Sequence, residues 1–137
     1  MLRRGFIKLA TVTLTAAAAL VVPAGAQQTA SGEAGTVQAT AAQIQHLLSG
    51  NTIKGSWSGA DYTQYFDQSG FTVYIEAGRP PSRGKWRVRE DTDQYDSWWE
   101  NTGWTPYTVM MTNDGYAWVN RGELEPFEIL EGKQADF

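Results

Sequence analysis

The chain has 137 residues, with 11 basic and 15 acidic side chains, one histidine and no cysteine. The lack of cysteine excludes disulfide bonds, thiolate nucleophiles and cysteine-ligated metal sites. The acidic balance argues against nucleic acids and anionic membrane surfaces as partners, because proteins bind both through clusters of Lys and Arg. The 17 aromatic residues can each bury a large area, which favours a small domain held together by packing alone.

The first 26 residues have the features of an export signal in the required order. Basic residues precede an apolar run over residues 9–22, and the triplet Ala24-Gly25-Ala26 has the small-x-small form that signal peptidases cleave. We predict cleavage after Ala26 and a periplasmic or secreted mature protein. The alternative is a permanent membrane anchor, for which the run is short and rich in Ala and Thr, since a spanning helix needs about 20 apolar residues.

The segment Arg3-Arg4-Gly5-Phe6-Ile7-Lys8 also resembles the twin-arginine motif. The resemblance implies export of an already folded protein, and an ordinary general-secretion signal is the alternative. Cleavage would leave eight basic residues, since Arg3, Arg4 and Lys8 are lost from 11. Against 15 acidic residues this gives a net charge of about −7.

After the predicted cleavage site, residues 27–40 have no apolar periodicity and predict a flexible tether. Thr40 and Gln43 then have the spacing of a helix-capping box. We predict a short helix over residues 41–48, which Gly50 terminates. An isolated helix of two turns is unstable, so this one must dock onto the rest of the domain.

Beyond Asn51 the apolar pattern alternates with a period of two, and turn signals rich in Asn, Asp and Gly recur about every ten residues. We predict eight strands, at residues 52–57, 61–66, 71–77, 84–90, 95–100, 106–112, 115–119 and 124–130. The connections are too short for crossover helices, so the strands should form an antiparallel meander. The predicted fold is all-β, a small antiparallel barrel of about eight strands with the short helix plugging or flanking it. Residues 41–132 form this single domain, and 133–137 are a tail.

Strand alternation also predicts which side chains point inward. The predicted core is Tyr62 or Tyr65, Phe66, Phe71, Val73, Ile75, Trp86, Val88, Val109, Met111, Trp118, Phe127 and Ile129. A hairpin centred on residues 91–94 would place Arg89 opposite Asp96 and Lys85 opposite Glu100. The same register would bring Arg87 opposite Trp98, within reach of a cation–π contact. The stripe of basic residues is then a charge-paired outer surface, with an anion site as the alternative.

Few residues suggest catalysis or metal binding. His46 lies on the predicted helix without a neighbouring nucleophile or a second histidine at metal-ligand spacing. The acidic run Glu90–Asp96 departs from the calcium-loop pattern, because Asp96 replaces its required glycine. We therefore predict no catalytic residue, no metal site and no cofactor. A small hydrolase remains an alternative that would need two carboxylates about 5–9 Å apart in one pocket.

The aromatic run from Tyr95 to Tyr107 is the strongest candidate for a binding site. Trp98 and Trp99 are adjacent on a strand, so they point to opposite faces; we predict Trp99 inward and Trp98 outward beside Arg87. The predicted ligand- or partner-binding residues are Trp98, Trp104, Arg87 and Tyr95. The alternative is that all of these aromatic residues belong to the core and girdle of the barrel.

Three segments, Gly70 to Tyr74, Arg83 to Val88 and Tyr95 to Tyr107, resemble a family of small exported proteobacterial proteins. The resemblance spans about residues 42–132, and the matching positions are Gly84, Trp86, Val88, Trp99 and Tyr107. It implies a lipocalin-like barrel but no reaction, since that family has no assigned function. Asp96 and Pro106 occupy the positions of the family's two cysteines, so the disulfide implied by the resemblance is absent.

The expected function is that of a non-enzymatic periplasmic binding module. It would hold a small apolar or amphipathic molecule in the barrel mouth, or engage a protein partner through its aromatic surface. One alternative is a barrel that inhibits a protease, with residues 27–40 entering the groove of the partner. Another is the small hydrolase.

Overall fold

The computed structural model describes residues 35–136, so the predicted signal peptide and most of the predicted tether lie outside the described residues. The described part is mostly β-structure with one short helix, which confirms the all-β prediction. Its elements are β1 (Val37–Gln38), α1 (Ala41–Leu48), β2 (Thr52–Trp57), β3 (Ala60–Phe66), β4 (Phe71–Glu76), β5 (Ser82–Arg89), β6 (Gln94–Trp99), β7 (Gly103–Tyr107), β8 (Val109–Thr112), β9 (Gly115–Asn120) and β10 (Glu123–Leu130).

The ten strands form one antiparallel sheet in the order β1-β8-β9-β10-β2-β3-β4-β5-β6-β7. The sheet curls into a half-barrel, with β1 and β7 at its two edges. From β2 to β7 it is the predicted meander, in which each strand pairs with the next along the chain. The pairing of β10 with β2 joins this meander to the C-terminal strands.

The predicted strand over residues 106–112 is in fact two strands, which corrects the count. β7 pairs with β6, whereas β8 pairs with β9 and β1 on the other side of the sheet. The chain changes partners at Thr108, whose carbonyl accepts a hydrogen bond from the Val119 amide at 3.0 Å. Pro106 fits in β7 because an edge strand tolerates the missing N–H.

The end of the segment predicted as a tether belongs to the fold. Val37 and Gln38 pair with Met111 and Met110, and the Ala39 amide donates to the Val109 carbonyl at 2.9 Å. Ala39 is completely buried. The pattern contained no strand signal because β1 has only two residues, both with exposed side chains.

The helix and its capping box are confirmed. The Gln43 amide donates to Thr40 Oγ1 at 3.2 Å, and the Thr40 amide donates to Gln43 Oε1 at 2.8 Å. Ile44 and Leu48 on the apolar face join the cluster that contains Phe66. The helix therefore covers one end of the half-barrel and leaves the other end for a pocket.

The register of the β5–β6 hairpin differs from the prediction by two residues. Arg87 faces Asp96 and Lys85 faces Trp98, instead of the predicted partners Trp98 and Glu100. A shift of two residues keeps every side chain on its predicted face. Arg89 faces Gln94 instead of the predicted Asp96, so the hairpin loop has four residues, 90–93. Asp93 in this loop adopts a left-handed conformation (φ 52°), and its carboxylate accepts the Ala41 amide of α1 at 2.8 Å.

The predicted inward face of β4 is wrong. Tyr74 pairs with the inward-facing Gln64, so Thr72 and Tyr74 point inward. Phe71 is on the outer face with 62% of its surface exposed, and Val73 is buried on that same outer face. The interior accepts polar residues because they bond to each other: Gln64 Nε2 donates to Thr72 Oγ1 at 2.8 Å and to the Tyr95 hydroxyl at 3.2 Å.

Most of the remaining predicted core is confirmed. The buried predicted residues, besides Val73, are Tyr62, Phe66, Trp86, Val109, Trp118 and Phe127. Tyr65, Ile75, Val88, Met111 and Ile129 are only half-buried. Ile53 and Tyr95 are buried core residues that the prediction did not include.

Candidate binding site at the mouth of the half-barrel

A pocket of about 170 Å³ opens at the end of the half-barrel that α1 does not cover. Three tryptophans, four tyrosines and two neutral polar residues line it: Trp57, Trp99, Trp118, Tyr62, Tyr74, Tyr95, Tyr107, Gln64 and Ser97. Among these described residues there is no aliphatic and no charged side chain. We call this set the aromatic cage.

The strand register brings the cage together from distant parts of the chain. Tyr62 and Gln64 alternate along β3, Ser97 and Trp99 along β6, and Trp118 comes from β9. Since side chains at i and i+2 share a face, each pair points inward at the same end of the sheet. Buried members, such as Tyr95 and Ser97, form the floor, and half-buried members, such as Trp57 and Trp99, form the mouth.

Two of the tyrosine hydroxyls are held by hydrogen bonds. Trp118 Nε1 donates to the Tyr62 hydroxyl at 2.9 Å, and Gln64 Nε2 donates to the Tyr95 hydroxyl at 3.2 Å. Burial raises the pKa of Tyr62 and of Tyr95 well above the ordinary value of a phenol. Both phenols therefore stay neutral and keep their O–H groups at physiological pH.

Ser97 is the unusual polar group of the site. Its side chain is only 2% exposed, and its Oγ forms no hydrogen bond of normal geometry within residues 35–136. It lies close enough to the Tyr95 hydroxyl to lower the pKa of that phenol slightly against the larger effect of burial. Burying a hydroxyl without a well-formed hydrogen bond costs free energy. Ser97 is therefore positioned to form a hydrogen bond with a molecule that enters the pocket.

Several rings of the cage stand at steep angles to one another, whereas Tyr62 and Tyr74 are stacked with 19° between their planes. The planes of Trp57 and Tyr107 meet at 84°, those of Tyr74 and Trp99 at 70°, and those of Tyr107 and Trp118 at 70°. The ring centroids within these pairs are 5.5 to 6.4 Å apart. The pocket is therefore bordered by rings of several orientations.

Carboxylates flank the cage at its rim. Glu76 faces Tyr62 in the register of β3 and β4, and Glu125 faces Trp118 in that of β9 and β10. Glu125 contributes to the raised pKa of Tyr62, and Glu76 contributes to that of Tyr74. Arg79 pairs with Glu76 at 2.9 Å, whereas Glu125 accepts hydrogen bonds only from neutral groups of Ser58 and Asn120 among the described residues.

The four residues predicted as a site do not all come together. Trp98, Trp104 and Arg87 share the outer face of β5, β6 and β7, where the Arg87 guanidinium carbon lies 3.9 Å from the Trp104 ring centre. Tyr95 is on the opposite face, is 3% exposed and belongs to the floor of the pocket. Tyr95 shares strand parity with Trp99, which is the sequence signal that could have placed it in the interior.

An outer row of residues crosses four strands. Phe71, Lys85, Trp98 and Trp104 are successive cross-strand partners from β4 to β7. Lys85 Nζ lies 5.1 Å from the Trp98 ring centre, so the predicted cation–π contact of Trp98 is made by Lys85 instead of Arg87. Trp104 is 40% exposed. The row is the aromatic surface expected from the sequence, extended by Phe71.

Sequence reasoning did not identify most of the cage as a site. Trp57, Tyr74 and Trp118 lie in three different strands, and no local motif connects them. Their common signal is positional, since each is an inward-facing aromatic residue near the same end of the sheet. Recognising it requires the correct faces of β3 and β4, where the predicted alternation was ambiguous or reversed.

The described residues contain no group of His, Cys, Asp and Glu that could hold a metal ion. His46 is exposed on α1 and is not one of the residues lining the pocket.

Over residues 35–136 no helix has the length and apolar character needed to cross a bilayer. Comparisons of the chain with models of known protein families, with curated proteins and with solved structures give no match.

Proposed function

We propose that the protein is an exported, non-enzymatic binding module that holds a small amphipathic molecule in the aromatic cage. The observation that carries this proposal is a pocket lined mainly by aromatic rings, with the buried Ser97 hydroxyl, which forms no hydrogen bond of normal geometry among the described residues, on its floor. Small-molecule sites are concave, largely apolar and supplied with a few well-placed polar groups, and this pocket has that composition. Export rests on the signal-like residues 1–26.

The volume of the pocket limits the size of the ligand. A cavity of about 150 Å³ accommodates benzene, whereas pockets for drug-sized molecules measure about 300–1,000 Å³. At about 170 Å³ the cage has room for one ring or one compact branched group. The ligand, or the part of it that is buried, is therefore small, with one polar group near Ser97.

Native mass spectrometry of the protein purified from periplasm tests this proposal. Wild-type protein should carry a small non-covalent adduct, and Ser97→Val should carry less of it because the hydroxyl is lost and the floor is raised. Trp104→Leu, which changes a tryptophan on the outer face, is the matched control and should retain the adduct. If no adduct is found, and no compound in a panel of small ring-containing molecules shifts the cage resonances in NMR spectra, the proposal is wrong.

The outer row favours a second candidate function, the docking of a protein partner. Phe71 and Trp104 are both exposed, and they lie in one row with Lys85 and Trp98. Exposed aromatic residues next to cations are common at protein-binding hot spots. If this candidate is correct, Trp98→Ala and Trp104→Ala should each weaken partner binding by about 1 kcal/mol or more. Ligand binding in the cage should be unchanged.

The hydrolase alternative gains no support from the pocket. None of the nine described residues that line it is a carboxylate, so it lacks the acid and nucleophile of a glycosidase site. The inhibitor alternative uses residues 27–40, but Val37 to Ala39 pair with the sheet, so only residues 27–34, which precede the described part, can be deleted without removing a described element. Their deletion leaves β1 and the helix cap in place, and it separates inhibition through that arm from ligand binding.

A further inference from the structure

We infer that the cage selects a small organic cation of the trimethylammonium type that carries an oxygen function for Ser97. This inference rests on the proposed function, because it names the ligand class of the same pocket.

Aromatic faces attract cations because the π-electrons make each face electronegative. Seven of the nine residues lining the pocket are Trp or Tyr, and Trp is the strongest cation–π partner. A pocket selected only for apolar contact can use Leu, Ile or Val equally well, and this one uses none of them. Cages built from several inclined rings are a recurrent means of binding quaternary ammonium groups.

The charged residues on the inner face beside Tyr62 and Trp118 have the sign that a cation requires, whereas Arg83 and Glu100, one of each sign, border Tyr74 and Trp99. Glu76 and Glu125 are the charged residues whose strand register places them beside Tyr62 and Trp118 on the inner face. Arg79 offsets Glu76, which leaves Glu125 as the carboxylate without a basic partner among the described residues. An anionic ligand would meet both the ring faces and this carboxylate, so the electrostatics disfavour it.

The polar groups on the floor complement the tail of such a ligand. The hydroxyls of Tyr62 and Tyr95 each accept an N–H group, which leaves their own protons free to be donated. Ser97 Oγ, close to the Tyr95 hydroxyl, adds a third hydroxyl to the pocket lining. A ligand oxygen that reaches the floor can accept hydrogen bonds from these groups, while the ammonium group remains between the rings nearer the rim.

The decisive comparison uses choline and its neutral carbon analogue, in which a tert-butyl group replaces the trimethylammonium group. The two have the same shape and the same hydroxyl, so they differ in charge alone. We expect choline to bind about tenfold tighter in calorimetric or NMR titrations of the mature protein. The N-methyl proton resonance should move upfield, because the methyl groups lie over ring faces.

Variants then locate the contact. Trp57→Leu removes a half-buried ring at the mouth and should weaken choline binding about fivefold or more. Trp104→Leu on the outer face is the matched control and should change nothing. Glu125→Gln should weaken choline binding by about twofold or more and leave the neutral analogue unaffected, which a merely structural effect would not do. The unfolding midpoint of each variant shows whether it folds.

Equal affinity for choline and its neutral analogue would overturn the inference and leave the proposed binding function intact. Failure of both compounds to bind would also overturn it. In that case p-cresol, a neutral ring of suitable size, shows whether only the cation preference is wrong or the proposed binding function as well. Binding of p-cresol to the cage would preserve the proposed function, and its failure to bind would count against the proposed function as well.

Discussion

Trp99 packs against the bare backbone of Gly84 on the neighbouring strand. A methyl group added at Gly84 would lie 2.6 Å from Trp99 Cε3 and 2.4 Å from the carbonyl oxygen of Trp98. Both distances are far below van der Waals contact, and one of the two atoms belongs to the backbone. The absence of a side chain at Gly84 is therefore what allows Trp99 to lie inward and form part of the mouth of the cage.

Gly84→Ala should consequently destabilise the protein and disturb the pocket. We expect a loss of about 1–3 kcal/mol in the free energy of unfolding, the usual cost of overpacking, measured by urea denaturation. Ser82→Ala is the control, because Ser82 is an exposed residue of the same strand and should change stability by less than about 0.5 kcal/mol. Wild-type stability in Gly84→Ala would contradict the packing of Trp99 described above.

Four tryptophans should differ in the cost of truncation according to their position in the sheet. Trp86 is buried against Phe66 and donates from Nε1 to the Asp67 carbonyl at 2.9 Å. Trp86→Ala should therefore cost about 3–5 kcal/mol, and Trp99→Ala, at the half-buried mouth, about 2–3 kcal/mol. Trp98→Ala and Trp104→Ala, on the outer face, should stay within about 1 kcal/mol of wild type.

Chemical denaturation with tryptophan-independent detection, such as far-UV circular dichroism, measures this series. The order of the four values is the informative result. A loss for Trp98→Ala as large as that for Trp86→Ala would show that the outward assignment of Trp98 is wrong, and would remove the main support for docking at the outer row.

The turns and most strand positions could be predicted because Gly, Asn and Asp mark reversals of direction regardless of tertiary context. The face of β4 could not. Its outer positions carry the apolar residues Phe71 and Val73, whereas its inner positions carry Thr72 and Tyr74. The rule that apolar residues point inward fails here because the interior contains a hydrogen-bonded network and a tyrosine-lined pocket, both of which require polar atoms inside.

Long-range contacts explain the other differences from the prediction. The loop of the β5–β6 hairpin is held by Asp93, which bonds to the first turn of α1 from 52 residues away along the chain. The division of the predicted strand at Thr108 depends on which strands lie on either side of it. Neither contact can be recognised from the neighbouring residues in the sequence. The pattern of a strand therefore predicts where the strand lies but not which strand it pairs with.

Asp96 and Pro106 are direct cross-strand partners on β6 and β7, and this relationship permits an engineered disulfide. Directly opposed residues have Cβ atoms about 4.5–5.5 Å apart, close to the separation that a disulfide needs. These are the positions at which the resemblance places the cysteines of the family. Asp96→Cys combined with Pro106→Cys should form the bond under oxidising conditions and raise the free energy of unfolding by about 2–3 kcal/mol.

The environment of Asp96 favours its replacement by cysteine. Its Oδ1 is buried without a hydrogen-bond partner among the described residues, and its Oδ2 is bonded to Arg87, whose side chain is half-exposed. Mass spectrometry with thiol labelling detects the bond, and unfolding with and without reductant measures its effect. Each single variant is a control that should gain nothing from oxidation. Two free thiols in the folded, oxidised double variant would contradict the observed register of β6 and β7.

Stability should decline at alkaline pH because of Tyr62 and Tyr95. Burial raises the pKa of both phenols above the ordinary value of 10.0. Below pH 10 the folded and unfolded chains both keep these protons, so the stabilising effect of the raised pKa is fully present. Above pH 10 the unfolded chain releases the protons while the folded chain retains them, which favours unfolding. Each tyrosine should then lower the free energy of unfolding by about 1.4 kcal/mol per pH unit.

Urea titrations at intervals between pH 9 and 12 measure this slope, and tyrosinate absorbance follows the release of protons. Tyr95→Phe should reduce the slope by the contribution of one proton without removing a ring from the core. Tyr62→Phe should do the same, with an additional loss of about 1–3 kcal/mol at every pH, because Trp118 Nε1 then lacks its acceptor. Identical slopes in wild type and both variants would mean that neither phenol is shielded from solvent, and the pocket floor would then be open to water.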